Sequence, residues 1–222
     1  MKVIKIQVAL FFRDIISRPD ILAENINQKL GNMFDAMPTC VDLPLDAPAE
    51  IPIVYRKSTK LPHQLNVARS RCDLILTPMV ENNSLAVIES RYNNEILEYI
   101  KAAMEGNDVI RIGIVYTVFQ EAEKPCDYIS TKYFGGLIKG ENELSFRVNK
   151  VTNIKGVETN SVFNVSNAIA ETNGKKDEGV LYIRDINNVV KTTSSNLTLK
   201  QITNILKHSY SMLDDNVFGE AK

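Results

Sequence analysis

One strand-like pattern occurs twice in this chain, and the two copies begin about half a chain apart. The sequence Val-Ile-Arg-Ile-Gly-Ile starts at Val109, and the similar sequence Val-Ile-Lys-Ile-Gln-Val starts at Val3. Residues 109–119 are apolar at both odd and even positions, which is typical of a strand buried on both faces in the middle of a sheet. We therefore predict a single domain, residues 1–222, made of two similar halves, residues 1–106 and 107–222.

The composition is that of a globular protein. The chain has 222 residues, of which 44% are hydrophobic and 24% are charged, and its formal net charge is -1. A chain of this length can bury a core, and its near-neutral charge gives no general attraction to nucleic acid or to an anionic membrane. Three isolated cysteines, with neither a leader nor a membrane-spanning apolar run, favour a cytoplasmic protein.

Periodicity predicts the same order of elements in both halves: a strand, a helix, antiparallel strands and a long helix. The predicted strands span residues 3–12, 40–43, 53–57, 64–76, 109–119, 144–152, 162–170 and 180–186. The predicted helices span residues 17–37, 85–104 and 126–138, followed by a last helix that begins at Thr198. Thr198 and Gln201 form a capping box there, and Leu197 and Ile202 occupy the positions of a hydrophobic staple.

These elements predict an α+β fold built from a pseudo-duplicated strand-helix-strands-helix unit. The two halves join through the strands at 3–12 and 109–119 into one curved antiparallel sheet with two long helices on one face. The second face of the sheet is left uncovered in this arrangement. A ligand, a partner chain or a second copy of the protein would bind there.

Three short signatures resemble a family of cytoplasmic proteins that is sporadically distributed among bacteria and archaea and has no assigned function. Residues 111–116 are similar to its Arg-Ile-Gly-Leu-Arg-Tyr, with Val115 in place of the second arginine. Residues 181–186 are similar to its apolar strand ending in acid-Ile-Asp, and only Asp185 is retained of the acids. The third signature is His208 followed by Phe218. The resemblance follows the order of elements along nearly the whole chain and implies a fold rather than an activity.

Charged side chains on predicted strands are the best candidates for a binding site. A charged residue on a strand must face solvent, form a pair or line a cleft, and Arg111 interrupts an otherwise apolar central strand. The set supports either an anion-binding groove or salt bridges, such as Arg111–Asp185, that close the sheet surface. The candidate residues are Arg69, Arg71, Asp73, Arg111, Arg147, Arg184 and Asp185.

Other constellations give no recognisable cofactor site, so we expect neither a metal nor a cofactor. His63 and His208 are the only histidines, and they lack the spacing of metal ligands. The pair Gly135-Gly136 lacks the lysine and hydroxyl of a phosphate-binding loop. Four aromatic residues on predicted strands either pack in the core or, on an exposed face, would stack nucleobases: Tyr116, Phe146, Phe163 and Tyr182.

Three functional hypotheses follow. The first is a non-enzymatic interaction or regulatory protein, such as an antitoxin-like or phage-defence accessory subunit. It would dock a protein partner, or form a homodimer, through the open sheet face and the proline-rich loop at 42–52, which otherwise is a solvated connection. The second is nucleic-acid or nucleotide binding through the strand arginines. The third is an enzyme whose site is assembled from Asp73, Asp185, Arg111 and His208.

Overall fold

Nine strands of the described chain form one antiparallel sheet in the computed structural model, and four α-helices accompany it. The structure describes residues 1–44, 46–172, 175–191 and 195–213. The strands are β1 (Lys2–Phe12), β2 (Thr39–Cys40), β3 (Val54–Lys57), β4 (Gln64–Val67), β5 (Arg71–Leu76), β6 (Val109–Glu121), β7 (Ser145–Ile154), β8 (Val157–Thr172) and β9 (Lys175–Asn188). The helices are α1 (Pro19–Lys29), α2 (Ile88–Met104), α3 (Pro125–Phe134) and α4 (Leu199–Ser211).

The sheet is organised around β1 and β6, which lie side by side at its centre. The strand order is β2-β3-β4-β5-β1-β6-β9-β8-β7, and neighbouring strands are antiparallel throughout. This order confirms the predicted α+β fold with one curved antiparallel sheet. It also places β4 two strands from β1 and β8 two strands from β6. Internal duplication as the origin of this arrangement stays a prediction.

The two long helices pack on the same face of the sheet, as predicted. The Tyr99 hydroxyl of α2 donates a hydrogen bond to the carbonyl of Cys72 on β5, at 2.8 Å. The Tyr116 hydroxyl of β6 lies 2.8 Å from the Ser209 hydroxyl of α4. The register aligns Cys72 with Leu10 of β1 and Leu10 with Ile112 of β6, and Ile112 shares its face of the strand with Tyr116. Both helices therefore contact one face of the sheet.

The two shorter helices cover the outer parts of that face. Glu24 of α1 forms an ion pair with Arg56 of β3. The Tyr133 ring of α3 packs against Phe146 of β7, with ring centroids 4.9 Å apart. The helix-covered face therefore holds the core, and burial of each large aliphatic side chain there contributes about 1.5–3 kcal/mol. Fully buried members of this core include Ile6, Leu10, Leu74, Ile112, Ile114, Ile100 and Leu206.

The first helix is shorter than predicted. We expected it to continue to Met37, but it ends at Lys29 because Gly31 and Asn32 adopt left-handed backbone conformations, with φ of 66° and 59°. The helix also begins later than predicted, at Pro19 rather than at residue 17. Arg18 is the N-cap and makes no side-chain capping bond, while its guanidinium pairs with Asp20.

The predicted long strand at 64–76 is two strands joined by a tight turn. β4 ends at Val67, β5 begins at Arg71, and the Ala68 amide donates to the Arg71 carbonyl at 2.7 Å. The buried positions therefore change parity between the two strands, from Leu65 and Val67 to Cys72, Leu74 and Leu76. The strand expected at 40–43 is reduced to Thr39–Cys40, whereas β7, β8 and β9 all extend beyond their predicted limits.

The last helix begins as predicted. The Thr198 hydroxyl accepts a hydrogen bond from the Gln201 amide, and the Gln201 side chain accepts one from the Thr198 amide, so the capping box is confirmed. Leu197 and Ile202 are both buried. Phe218, which belongs to the third signature, lies outside the described residues. None of the helices within the described ranges has the length and apolar character needed to span a bilayer.

Candidate functional site

The face of the sheet opposite the helices carries the candidate site. Side chains alternate between the two faces of a strand, and the four α-helices of the described ranges all contact the other face. The face that no described helix covers is called the open face below. At its centre it carries Gln7, Ala9 and Phe11 of β1 and Arg111, Gly113 and Val115 of β6.

Cross-strand pairing arranges these central residues in rows. Phe11 lies between Arg71 of β5 and Arg111 of β6, and it is in register with both. The next row has two of the smallest residues, because Ala9 lies opposite Gly113. Because small residues lie between rows of larger ones, the surface sinks over Ala9 and Gly113.

This central depression has a volume of about 170 Å³. Its charged walls are Arg71, Arg111 and Asp185, and Ala9 and Gly113 form its floor. The remaining lining side chains are Gln7, Phe11, Val115 and Asn187.

Arg71 belongs to a hydrogen-bonded group at one end of the central depression. Its Nη2 donates to Oδ1 of Asp73 at 2.6 Å, and Gln7 Nε2 donates to the same oxygen at 2.9 Å. Asp73 is only 4% exposed, so removal of Arg71 would leave a buried carboxylate without its ion-pair partner. Arg71 is therefore fixed in position before any ligand arrives.

Arg111 is held by a different set of contacts. Its guanidinium carbon lies 5.0 Å from the centre of the Phe11 ring, and the corresponding distance for Arg71 is 4.8 Å. Both arginines therefore contact the same ring through cation–π interactions. Arg111 Nη2 also donates a long hydrogen bond of 3.4 Å to Asn187 Oδ1.

The expected salt bridge between Arg111 and Asp185 is wrong. Among the described residues, no ion pair within 4.0 Å joins Arg111 to Asp185 or to another carboxylate. Asp185 instead accepts a hydrogen bond from Asn187 Nδ2 at 3.0 Å. The Nε atoms of Arg71 and Arg111 are both buried and have no hydrogen-bond partner among the described residues. The two arginines thus retain donor capacity beside the central depression.

The other predicted arginines lie elsewhere. Arg69 lies in the turn between β4 and β5 and donates to the Ala47 carbonyl of the proline-rich loop, at 2.5 Å. Arg147 is exposed on the outermost strand, β7, on the same side as the open face. Arg184 lies on the helix-covered face, where its guanidinium carbon is 4.2 Å from the centre of the Phe163 ring and burial lowers its pKa to about 10. Of the predicted set, the structure brings together Arg71, Asp73, Arg111 and Asp185.

The proposed catalytic set does not assemble. His208 belongs to α4, which packs on the helix-covered face, whereas Asp73, Asp185 and Arg111 belong to the open face. The sheet separates the imidazole from the other three groups, so they cannot act on one substrate. In the described part of the chain, no group of three or more His, Cys, Asp or Glu side chains is arranged to hold a metal ion.

The four strand aromatics considered as a stacking surface pack under the helices instead. Tyr116 contacts Ser209 and Tyr210 of α4, and the rings of Phe146 and Phe163 contact Tyr133 of α3. Tyr182 stacks on Phe163 at a centroid distance of 6.1 Å. These residues therefore give no exposed platform for nucleobases.

Sequence reasoning missed Phe11, Gln7 and Asn187. Phe11 lies within an apolar run, Leu10-Phe11-Phe12, in which nothing distinguishes the ring that faces solvent from the rings in the core. The useful signal is the repeat itself. It indicates that β1 and β6 are related strands, but only their antiparallel register in the structure brings Phe11 to Arg111 and Ala9 to Gly113.

His63 makes folding sensitive to acid, although it lies outside the site. It is 4% exposed, and its Nδ1 accepts a hydrogen bond from the Thr77 amide at 3.2 Å. Burial lowers the pKa of His63, so the folded state takes up a proton at lower pH than the unfolded chain does. In the unfolded chain the pKa of a histidine is about 6.5. Protonation therefore favours unfolding, and stability is expected to decrease as the pH falls below about 6.5.

Urea unfolding at several pH values tests this expectation. His63→Gln retains a carbonyl acceptor but does not titrate, so it should lose part of the pH dependence between neutral pH and pH ~5.5. His208→Gln is the companion variant, because burial also lowers the pKa of His208. An unchanged pH dependence in His63→Gln would contradict the assigned role.

Comparison with models of known protein families and with curated protein sequences gives no significant match to this chain.

Proposed function

We propose that this protein is a non-enzymatic interaction or regulatory protein that docks a protein partner on its open face. The observation that carries the proposal is the central depression, where two fixed arginines flank one aromatic ring on an uncovered sheet surface. The proposed location is the cytoplasm, which the three free thiols of Cys40, Cys72 and Cys126 support.

The size of the central depression favours a side chain over a cofactor. Small-molecule sites have typical volumes of roughly 300–1,000 Å³. The central depression, at about 170 Å³, instead has the size of one inserted amino-acid side chain. A protein partner would place such an anchor there and cover the flanking strands with the rest of its surface.

The composition of the open face supports the same proposal. Arginine and aromatic residues are enriched at the energetic centres of protein interfaces, especially when they are partly buried before binding. On this face the apolar Val115 lies opposite the amide side chain of Gln7, and Ile183 lies opposite Asn164. This mixture suits an interface core with a hydrogen-bonding rim.

Gly113→Val tests the proposal because it fills the central depression from its floor. A Cβ at Gly113 would meet only the Asn187 Cβ, at 4.0 Å, so the added side chain fits the strand and projects over the open face. Valine is also favoured in strands. We expect an unfolding midpoint at least equal to that of the wild type and at least a roughly tenfold loss of partner affinity, since a blocked anchor costs well over 1 kcal/mol.

The partner would be captured from a lysate of the source organism, purified and titrated against each variant by calorimetry. Lys207→Ala, at an exposed position on α4 away from the open face, is the control and should bind normally. Light scattering of the protein alone identifies a second copy as the occupant if a dimer forms that Gly113→Val dissociates. A partner that binds Gly113→Val as tightly as the wild type would contradict the proposal.

A further inference from the structure

We propose that the central depression is a carboxylate receptor, which accepts the side chain of an aspartate or glutamate of the partner between Arg71 and Arg111. This inference depends on the proposed docking function and specifies the chemistry of its anchor. The hydrogen-bonding state, the charge and the shape of the central depression support it.

The hydrogen-bonding state calls for an acceptor. A guanidinium has five N–H donors. In Arg71 one nitrogen contacts Asp73, and in Arg111 one nitrogen contacts Asn187 over 3.4 Å. The buried Nε atoms of both side chains have no partner within the described ranges. These Nε atoms are enclosed, so the donors open to a ligand are on the Nη nitrogens, of which only Nη2 of each arginine makes the contacts given above. A ligand that supplies acceptor oxygens gains charge-assisted hydrogen bonds from them.

The charge distribution favours a single negative charge. Asp73 already neutralises Arg71 across 2.6 Å, but Arg111 has no ion pair among the described residues. Asp185 also borders the central depression, so a dianion such as phosphate would meet more repulsion there than a monoanion. A carboxylate supplies one charge and two oxygens, which matches the paired N–H donors of a guanidinium.

The shape of the central depression determines which groups of the ligand can accompany its carboxylate. The floor of Ala9 and Gly113 leaves room for a short methylene stem, and Val115 offers it an apolar wall. Phe11 keeps the two guanidinium groups apart by contacting both of them. The ring therefore holds both guanidinium groups beside the central depression.

Titrations with capped amino acids, followed by NMR of the arginine Nε–Hε signals, test the inference. The probe is N-acetyl-glutamate amide, and its neutral isostere, N-acetyl-glutamine amide, reports binding that does not need the charge. We expect the glutamate compound to shift the signals of Arg71 and Arg111 saturably, and the glutamine compound to bind at least about tenfold more weakly. Inorganic phosphate should also bind more weakly than the glutamate compound.

Arg111→Gln removes the unpaired charge and should weaken binding of the glutamate compound by about tenfold or more. Arg147→Gln is the matched control, because it makes the same change at an exposed position of the same side of the sheet. Equal binding of the glutamate and glutamine compounds, tighter binding of phosphate, or an unaffected Arg111→Gln protein would each overturn the inference. If these titrations fail while Gly113→Val still blocks the partner, docking stands and the carboxylate anchor is wrong.

Discussion

Replacing Gly179 with alanine is expected to lower the free energy of unfolding by about 2–3 kcal/mol. Gly179 lies on β9 opposite Glu121 of β6. A Cβ at this position would lie 2.3 Å from the Gln120 carbonyl oxygen and 2.5 Å from Cζ of Phe119. The ring can rotate away only by leaving its buried position, and the carbonyl belongs to the backbone of a central strand. Pairing between β6 and β9 must therefore distort to admit a single methyl group.

Gly113→Ala provides the matched control for this prediction. Both glycines lie in the β6–β9 pair, but a Cβ at Gly113 has no neighbour closer than 4.0 Å. Alanine there should be neutral or stabilising by up to about 1 kcal/mol, because it restricts the unfolded chain. Urea unfolding of the two variants measures the difference. If the Gly179→Ala protein is as stable as the Gly113→Ala protein, Phe119 and Gln120 move aside at little cost in free energy and the prediction is wrong.

The fold could be predicted because its signals are local and repeated. The apolar pattern shared by β1 and β6 marks the two strands that meet at the centre of the sheet. The capping box at Thr198 involves groups only three residues apart, so its geometry follows directly from the sequence. The end of α1 was missed since Leu30, Met33 and Met37 continue the helical spacing across Gly31, and the periodicity outweighed the glycine.

The candidate site could be predicted only in part, because it depends on strand register. Arg111 and Asp185 were found from their charge within apolar strands. Arg184 has the same sequence signal as these two, yet its side chain belongs to the opposite face and packs on Phe163. The parity of a strand relative to its neighbours decides between the two faces, and an error of one residue reverses it. No local pattern in β9 settles that choice.

The position of the central depression follows from the way the two halves join. β1 and β6 pair along almost their whole lengths, with register shifts near Val3 and near Phe12. Between these irregularities the pairing is regular, and it brings Ala9 to Gly113 and Phe11 to Arg111. Each half alone would present only one wall of the depression. The junction of the halves therefore creates both the small-residue floor and the two-arginine rim.

Replacing Asn188 with alanine is expected to lower the free energy of unfolding by about 3 kcal/mol, the largest effect predicted for a polar residue. The backbone ladder between β6 and β9 ends at the pair Gly113–Asn187. Beyond it, the Asn188 side chain takes over, accepting from the Ile112 amide at 2.8 Å and donating to the Ile110 carbonyl at 3.0 Å.

Alanine at position 188 leaves both of these backbone groups without partners, at a site where Asn188 itself is only 3% exposed. Each buried group without a partner costs about 1–3 kcal/mol, and the cavity left by the amide adds to that cost. Asn149→Ala is the control, because the exposed Asn149 side chain donates one hydrogen bond to Asn160 Oδ1, at 3.2 Å, among the described residues, and its loss should change stability by less than about 0.5 kcal/mol. Hydrogen exchange of the Ile112 amide distinguishes the loss of the Asn188 hydrogen bonds from the effect of the cavity alone. Faster exchange of that amide in Asn188→Ala indicates loss of the side-chain clamp, whereas unchanged exchange at Ile112 would contradict it.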